Sequence, residues 1–414
     1  MLVNALDEYA DAPLLVLGTE GTVTRGEVRD RALRIVARHG VAFSGRSLGI
    51  RGRPTYDNVA WLAASLQLGA RAVVLPAEGA VDASTLELAG IVGEGLTEPS
   101  TRADVPDPGL VLFTSGTTGT PKAVRYDWAD LVAGVHRGPS VQGARWLLTY
   151  PMSSFAGLQV LLHAILGRGA ICVPAPGDPH RQLLAAAAAG VTHVSGTPTF
   201  FRLALTMGRL GPGWSPRQIT LGGEPVDQRI LDMLAARFPR ARLTHIYAST
   251  ELGPCFSVHD GRAGFPMSFL EREDLPVWLT VRDDELFVRS GAAFVATGDG
   301  VRVEGDRVFF TGRRGARLSV DGSKVDPAYV EHVLLSVPGV AAVRVSGEPS
   351  TLVGQLVKAE VVPAPGTEAH ALRAAVIAHG RAHLDRTQRP RVVRIVDHLE
   401  QTPSGKIARP LEPA

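Results

Sequence analysis

From residue 24 to about residue 250, the apolar positions fall alternately into helical spacing and into short unbroken runs. The segment "TRGEVRDRALRIVARHG" opens with Thr24 and Glu27 at capping-box spacing, sets Val28, Ala32, Ile35 and Val36 on one face, and is expected to stop at Gly40. "DPHRQLLAAAAAG" offers Asp178 as N-cap, Pro179 in the first turn and Gly190 just past the end. "VDQRILDMLAARFP" repeats Ile230, Leu234 and Phe238 at one-turn spacing. Between the helices, "RSLGI", "RAVVLP", "LVLFT", "RWLLTY", "AICVPA", "THVSG", "QITLG" and "RLTHIY" read as strands, several apolar throughout as doubly buried parallel strands are. The alternation predicts an α/β domain on largely parallel sheets, with functional loops at the C-terminal ends of the strands.

After about residue 265 the texture changes to "PVWLTVRD", "ELFVRS" and "RVFFTGR", joined by the turns "RDDE" and "EGDR". These predict an antiparallel β subdomain over 265–312 that completes a large N-terminal domain, residues 1–312. From Arg313 onward, "DPAYVEHVLLSVPGVAAVRVSG" and "HALRAAVIAHGRAHLDRTQRPRVVRIVD" read as the helix and strand units of a compact α+β domain, residues 313–414.

Composition narrows the partners. The chain has 414 residues, of which 45% are hydrophobic, enough for more than one core. Lys and Arg total 43 against 41 Asp and Glu, a formal charge of +2, so neither nucleic acid nor an anionic membrane is expected as partner. Cys172 and Cys255 are too few for a disulfide framework or a Cys-rich zinc site and read as buried thiols. The N-terminal "MLVNALDEYADAPL" has no basic leader, and no apolar run approaches the roughly 18 residues of a membrane span, so a cytoplasmic location is expected. His136, His163, His193 and His245 show no two-histidine helical spacing with an acidic partner and read as ordinary core or surface residues.

One stretch carries chemistry on its face. "FTSGTTGTPKAV", Phe113 to Val124, places Thr114, Ser115, Gly116, Thr117, Thr118 and Gly119 between two strands and then presents Lys122. Glycines let backbone N–H groups converge on phosphate oxygens, hydroxyls add donors, and an ammonium offsets the charge, so the loop suits a polyphosphate. It is not the kinase-type P-loop, which needs Gly-Lys-Ser/Thr opening a helix; here Pro121 precedes Lys122 and "AVRYDW" continues as a strand.

This loop resembles the phosphate-loop signature of the acyl-adenylate-forming superfamily, which includes acyl-CoA synthetases, peptide-synthetase adenylation domains and firefly-type luciferases. Further segments agree in order from about residue 110 to the end: "LGGEPV" (221–226), "IYASTELG" (246–253), "TGDG" (297–300), "FTGRRG" (310–315) and "TPSGKIAR" (402–409). The resemblance implies that Gly222, Gly223 and Glu224 lie on the adenine side and that Tyr247 stacks on adenine. It further implies that Thr250 contacts phosphate, that Glu251 is the magnesium ligand, and that Asp299 and Arg313 serve the ribose. Lys406 is then the catalytic lysine, reaching both the acid's carboxylate and the α-phosphate, and Lys122 adds positive charge. Phe155, Gly157, Gly196, Thr197 and Ser249 fall in segments that would line the acid site. A carboxylate oxygen suits the hard Mg2+ ion that accompanies ATP.

The implied reaction has two steps: a carboxylic acid attacks the α-phosphorus of ATP with loss of pyrophosphate, and a second nucleophile, the thiol of CoA or carrier-protein phosphopantetheine, takes the acyl group. Two departures bear on the second step and on the substrate. Gly315 stands where members usually carry Asp or Lys at the hinge ahead of the Gly322 acceptor loop, and Ser154 stands where many carry histidine. No aspartate near Ser154 is placed to hold an α-amino group, which favours an aryl, cinnamoyl-like or medium-sized aliphatic acid, with an acyl carrier protein as a second potential partner. An amine or small inorganic acid as acceptor, and a noncatalytic nucleotide-binding homologue, stay open at this stage.

Overall fold

A computed structural model describes residues 1–17, 21–77, 108–114, 122–139, 141–175, 177–208, 210–211, 213–249, 252–290, 293–350, 354–402 and 405–409. Its spine is an eight-stranded sheet in the spatial order Gly253–Val258, Arg242–Ser249, Gln218–Gly222, His193–Gly196, Arg145–Leu148, Ala170–Cys172, Pro13–Val16 and Thr22–Thr24. The six inner strands run parallel and the two edge strands antiparallel. The inner strands are short and apolar because both faces are covered, which is why their sequence shows runs rather than alternation.

A second sheet orders Ser47–Arg51, Arg71–Leu75, Leu110–Thr114 and Lys122–Tyr126. The first three are parallel; the last turns back antiparallel, with Thr114 opposite Lys122. Lys122 therefore begins a paired strand and not a helix. The main core fills the space around the helices Arg25–Phe43, Tyr56–Gln67 and Phe155–Leu166.

The helix from Arg25 keeps its predicted capping box, with Glu27 N donating to Thr24 Oγ1 and Thr24 N to Glu27 Oε2. It does not stop at Gly40 but runs to Phe43, because Phe43 is fully buried and meets His39 and Trp61 at centroid separations of 5.7 Å each way. Burial of that ring outweighs the roughly 1 kcal/mol that an internal glycine costs a helix. At the helix start, the fully buried Arg25 guanidinium donates to the carbonyls of Ala5, Glu8, Ala164, Ile165 and Gly169, tying three segments together. Burial lowers its pKa to about 10, so it stays charged.

The antiparallel subdomain is a sheet ordered Phe265–Pro266, Arg307–Arg313, Ala293–Glu304, Glu285–Ser290 and Leu279–Arg282. A last sheet begins at Leu318–Val320 and is built on the long hairpin of Val340–Ser350 and Gly354–Pro363, with the helices Pro327–Leu335 and Ala369–His383 packed against it. Leu203, on the helix Pro198–Thr206, packs with Ala341, Ala342, Val362, Leu399 and Ile407, so the last sheet's own elements share apolar surface with the large domain. Cys172 and Cys255 are free and buried. Among the described residues no helix is long and apolar enough to cross a membrane, and no group of three or more His, Cys, Asp or Glu residues is arranged to hold a metal.

Candidate active site

The C-terminal ends of the central parallel strands meet the antiparallel subdomain and the Lys406 turn. Lys406 sits in a tight reversal: Gln401 bridges Ile407, Thr402 N donates to Lys406 O at 2.8 Å, and Ala408 N donates to Glu400 O at 2.8 Å. From this turn its side chain reaches Gly223, where a Cβ would lie 2.9 Å from Lys406 Cε and 3.4 Å from Nζ. Gly223 is also left-handed at φ +83°, a backbone conformation that favours glycine. The neighbouring Glu224 accepts from Thr199 N at 3.0 Å, across the first turn of the helix Pro198–Thr206.

The two charges condition each other. Burial raises the Glu224 pKa, against the hydrogen bonds from Thr199, the charge of Lys406 and the backbone of Ile407. Burial likewise lowers the Lys406 pKa, while Glu224 raises it, Arg313 lowers it and Asp299 raises it. A half-buried ammonium between carboxylates is a cation whose partners an incoming anionic substrate can supplement.

Tyr247 lies near the end of the strand Arg242–Ser249; its hydroxyl donates to Asp299 Oδ2 at 2.6 Å, and its ring stacks with Phe310 at 4.8 Å and Phe256 at 5.3 Å. Burial and the Asp299 charge push its phenol pKa well up. Asp299 is opposite Arg313 in the sheet, and Arg313 Nε lies 3.0 Å from Asp299 Oδ1. The "TGD" turn is held from behind, since Asp299 N donates to Thr297 Oγ1 and Gly298 N to Glu285 Oε1. Burial raises the Asp299 pKa, and Arg313, the Tyr247 hydroxyl and Lys406 oppose that shift. Asp299 keeps 15% of its side chain exposed. Gly222, just before Gly223, has its carbonyl bound by the buried Tyr150 hydroxyl at 3.3 Å.

On the other side, Phe155 begins its helix after Ser154, whose hydroxyl caps that helix by accepting from Gly157 N. Its ring lies 5.6 Å from that of Tyr126 and 3.7 Å from where a Gly253 Cβ would be. Gly157 is buried against the backbone of Tyr150 and Pro151. Ser249 Oγ accepts from Leu252 N, closing the turn that follows the Tyr247 strand. Gly196 and Thr197 are buried at the end of the strand His193–Gly196; Thr197 caps the next helix and its hydroxyl donates to Gly405 O at 3.0 Å.

Lys406, Gly222, Gly223, Glu224, Tyr247, Asp299 and Arg313 thus form one connected group, and Phe155 with Ser249 borders it through the Leu252–Gly253 turn. Lys122 is exposed at the start of its strand, opposite Thr114. Gly315 lies in an exposed turn between the last two sheets, and Gly322 in the exposed hairpin turn after Val320. Ser115, Gly116, Thr117, Thr118, Gly119, Thr250 and Glu251 lie outside the described residues. Sequence reading passed over Tyr126, Tyr150, Thr199, Gly253 and Glu285, whose parts are played by a ring, a backbone amide or a supporting contact that no short motif announces.

The arrangement sets a partly exposed carboxylate, an aromatic ring, a glycine and a lysine beside one another. Comparison with known proteins agrees. Models of the AMP-binding enzyme and of its C-terminal domain match residues 76–276 and 329–406. A feruloyl-CoA synthase from Amycolatopsis sp is 28% identical over 90% of this chain and 79% of its own length. A 2-succinylbenzoate–CoA ligase from Listeria monocytogenes is 26% identical over 74% of this chain and 70% of its own length. The fold matches the crystal structure of an anthranilate CoA ligase in complex with anthranoyl-AMP, with TM-score 0.76 at 18% identity over 98% of this chain and 95% of the other. The chain belongs to the AMP-binding enzymes of the acyl-adenylate-forming superfamily, ATP-dependent ligases that activate carboxylic acids.

Proposed function

We propose that this chain is a cytoplasmic ligase that activates an aryl or aryl-propenoic acid with MgATP and passes the acyl group to the thiol of CoA or of carrier-protein pantetheine. The observation that carries the reading is Lys406 lying on Gly223 beside Glu224, with the Tyr247–Asp299–Arg313 group facing it. Asp299 would accept from the ribose hydroxyls with Arg313 holding its carboxylate in place. Gly223 leaves room for the lysine to approach a phosphate. In the first step a carboxylate oxygen of the acid attacks the α-phosphorus and the bond to the bridging oxygen of pyrophosphate breaks. Lys406 neutralises charge on both reacting anions, where holding partners in line can contribute roughly 7 to 11 kcal/mol. Mg2+ would add charge at the phosphates, with Glu251 as its ligand by resemblance. In the second step a thiolate attacks the acyl carbon and AMP leaves.

The Tyr126–Phe155 ring pair beside Gly253 favours a planar acid. Similarity to a feruloyl-CoA synthase points the same way. The test is pyrophosphate release from MgATP over aryl, cinnamoyl, aliphatic and amino acids, each with and without CoA. Acid-dependent release stimulated by CoA is expected with planar acids. Release that is indifferent to CoA and answered only by an amine would remove the thiol acceptor. ATP binding without turnover on any acid would remove the enzymatic reading.

A further inference from the structure

Among the contacts of the Lys406 turn with the large domain is one buried hydroxyl. Thr197 is 1% exposed, and its Oγ1 does two things at once: it accepts from Phe200 N at 3.0 Å as the helix cap and donates its proton to Gly405 O at 3.0 Å. Gly405 directly precedes Lys406, so this bond fixes the peptide from which the lysine side chain departs. The helix that Thr197 caps also supplies Thr199 N to the Glu224 carboxylate, and the Thr197 methyl lies 4.0 Å from where a Gly223 Cβ would be. Thr197 thus meets the backbone just before Lys406, while Gly223 and the Glu224 charge meet the end of its side chain. A pocket-lining threonine would turn its proton toward the acid; here the proton and one of the two lone pairs are engaged by backbone.

We propose that Thr197 is a positioning residue for Lys406: its hydroxyl, donated to the Gly405 carbonyl, holds the lysine turn against the Gly223–Glu224 floor in the geometry for acid activation. This rests on the reading of Lys406 as the lysine of the first step. It assigns Thr197 to charge delivery and away from choice of acid.

Three substitutions separate the two duties of the hydroxyl. Thr197→Ser keeps cap and donor, Thr197→Val loses both, and Thr197→Asp keeps a good cap but has no proton to donate. Acid-dependent pyrophosphate release is expected to fall about five- to fiftyfold in kcat for Val and Asp, with the KM of the acid little changed, and to be restored by Ser. Thiol transfer from presynthesised acyl-adenylate should stay within about twofold in all three. The melting temperature should drop for Val, which loses the cap, and for Asp, which buries a carboxylate near Glu224, but not for Ser. The half-reaction rates, compared at a temperature where all variants are folded, therefore separate positioning from stability. Deuterium uptake over residues 401–409 is expected to rise in Val and Asp but not in Ser, and this holds as a readout whatever acid the enzyme uses. Unchanged kcat and uptake in both Val and Asp would overturn the proposal. A rise in the acid's KM alone would return Thr197 to the acid pocket. Failure of the wild type to release pyrophosphate, with uptake behaving as expected, would instead strike the proposed function and leave the positioning contact standing.

Discussion

At the scale of single residues, the site divides into groups that meet charge and groups that hold those groups. Lys406→Ala removes the cation set against Gly223 and is expected to lower acid-dependent pyrophosphate release by about a hundredfold to a thousandfold. Asp299→Ala should raise the KM for ATP roughly ten- to a hundredfold, as loss of a charged acceptor does. Tyr247→Phe, which loses only the 2.6 Å bond to Asp299 and keeps the stack on Phe310, should raise it only a few-fold; equal effects would mean that the tyrosine hydroxyl itself meets the nucleotide. That the lysine, the aspartate and the tyrosine belong to one group was legible because each sits in a short motif. Thr199 was not, since its contribution is a backbone N–H that any residue supplies.

At the scale of elements, strands were easier to read than helix ends. Apolar runs such as "RWLLTY" and "QITLG" became buried strands because nothing else buries both faces of so short a segment. The helix through Gly40 ran on because a ring three residues later had a core to enter, which local propensity does not reveal. Close packing at another helix start gives a firm expectation. In Gly157→Ala the new Cβ would lie 2.1 Å from Pro151 O and 2.9 Å from Tyr150 O, so the variant should lose about 1 to 3 kcal/mol or more of stability, read as a lower melting temperature. The strand His193–Gly196 brings a pH dependence. Burial, with Arg217 and His163 adding to it, takes the His193 pKa from 6.5 to about 4. Between those values the unfolded chain holds the proton that the folded chain refuses, so stability is full above 6.5 and falls as pH drops through the window. The loss is on the order of 2 to 3 kcal/mol at its lower end, and His193→Gln should flatten the melting temperature between pH 7 and pH 5.

At the scale of the whole molecule, the C-terminal elements dock through a small apolar seam and a few polar ties. Arg229 Nη1 donates to the carbonyls of Leu335 and Val337, at the end of the helix Pro327–Leu335, and Leu203 packs beside Ile407. Arg229 is only partly buried, so Arg229→Ala should lower the kcat of pyrophosphate release by about tenfold at most. Small-angle scattering should show a larger radius of gyration for the variant, and an unchanged radius would confine Arg229 to local support. The succession of the sheets was legible because composition and periodicity change near residues 265 and 313. Their contact surface was not, because Leu203 and Ile407 look like any other core residues until the chain is folded.

The floor beneath Lys406 has a consequence for anyone who reads this enzyme through a saturation library. Position 223 bears no functional group, yet any side chain there strains a left-handed backbone and sets its Cβ 2.9 Å from Lys406 Cε, so that the end of the lysine must shift. Such variants should be recovered as folded, nucleotide-binding and inert, a signature ordinarily taken to mark a residue that does chemistry. At position 223 it would mark a vacancy the enzyme must keep.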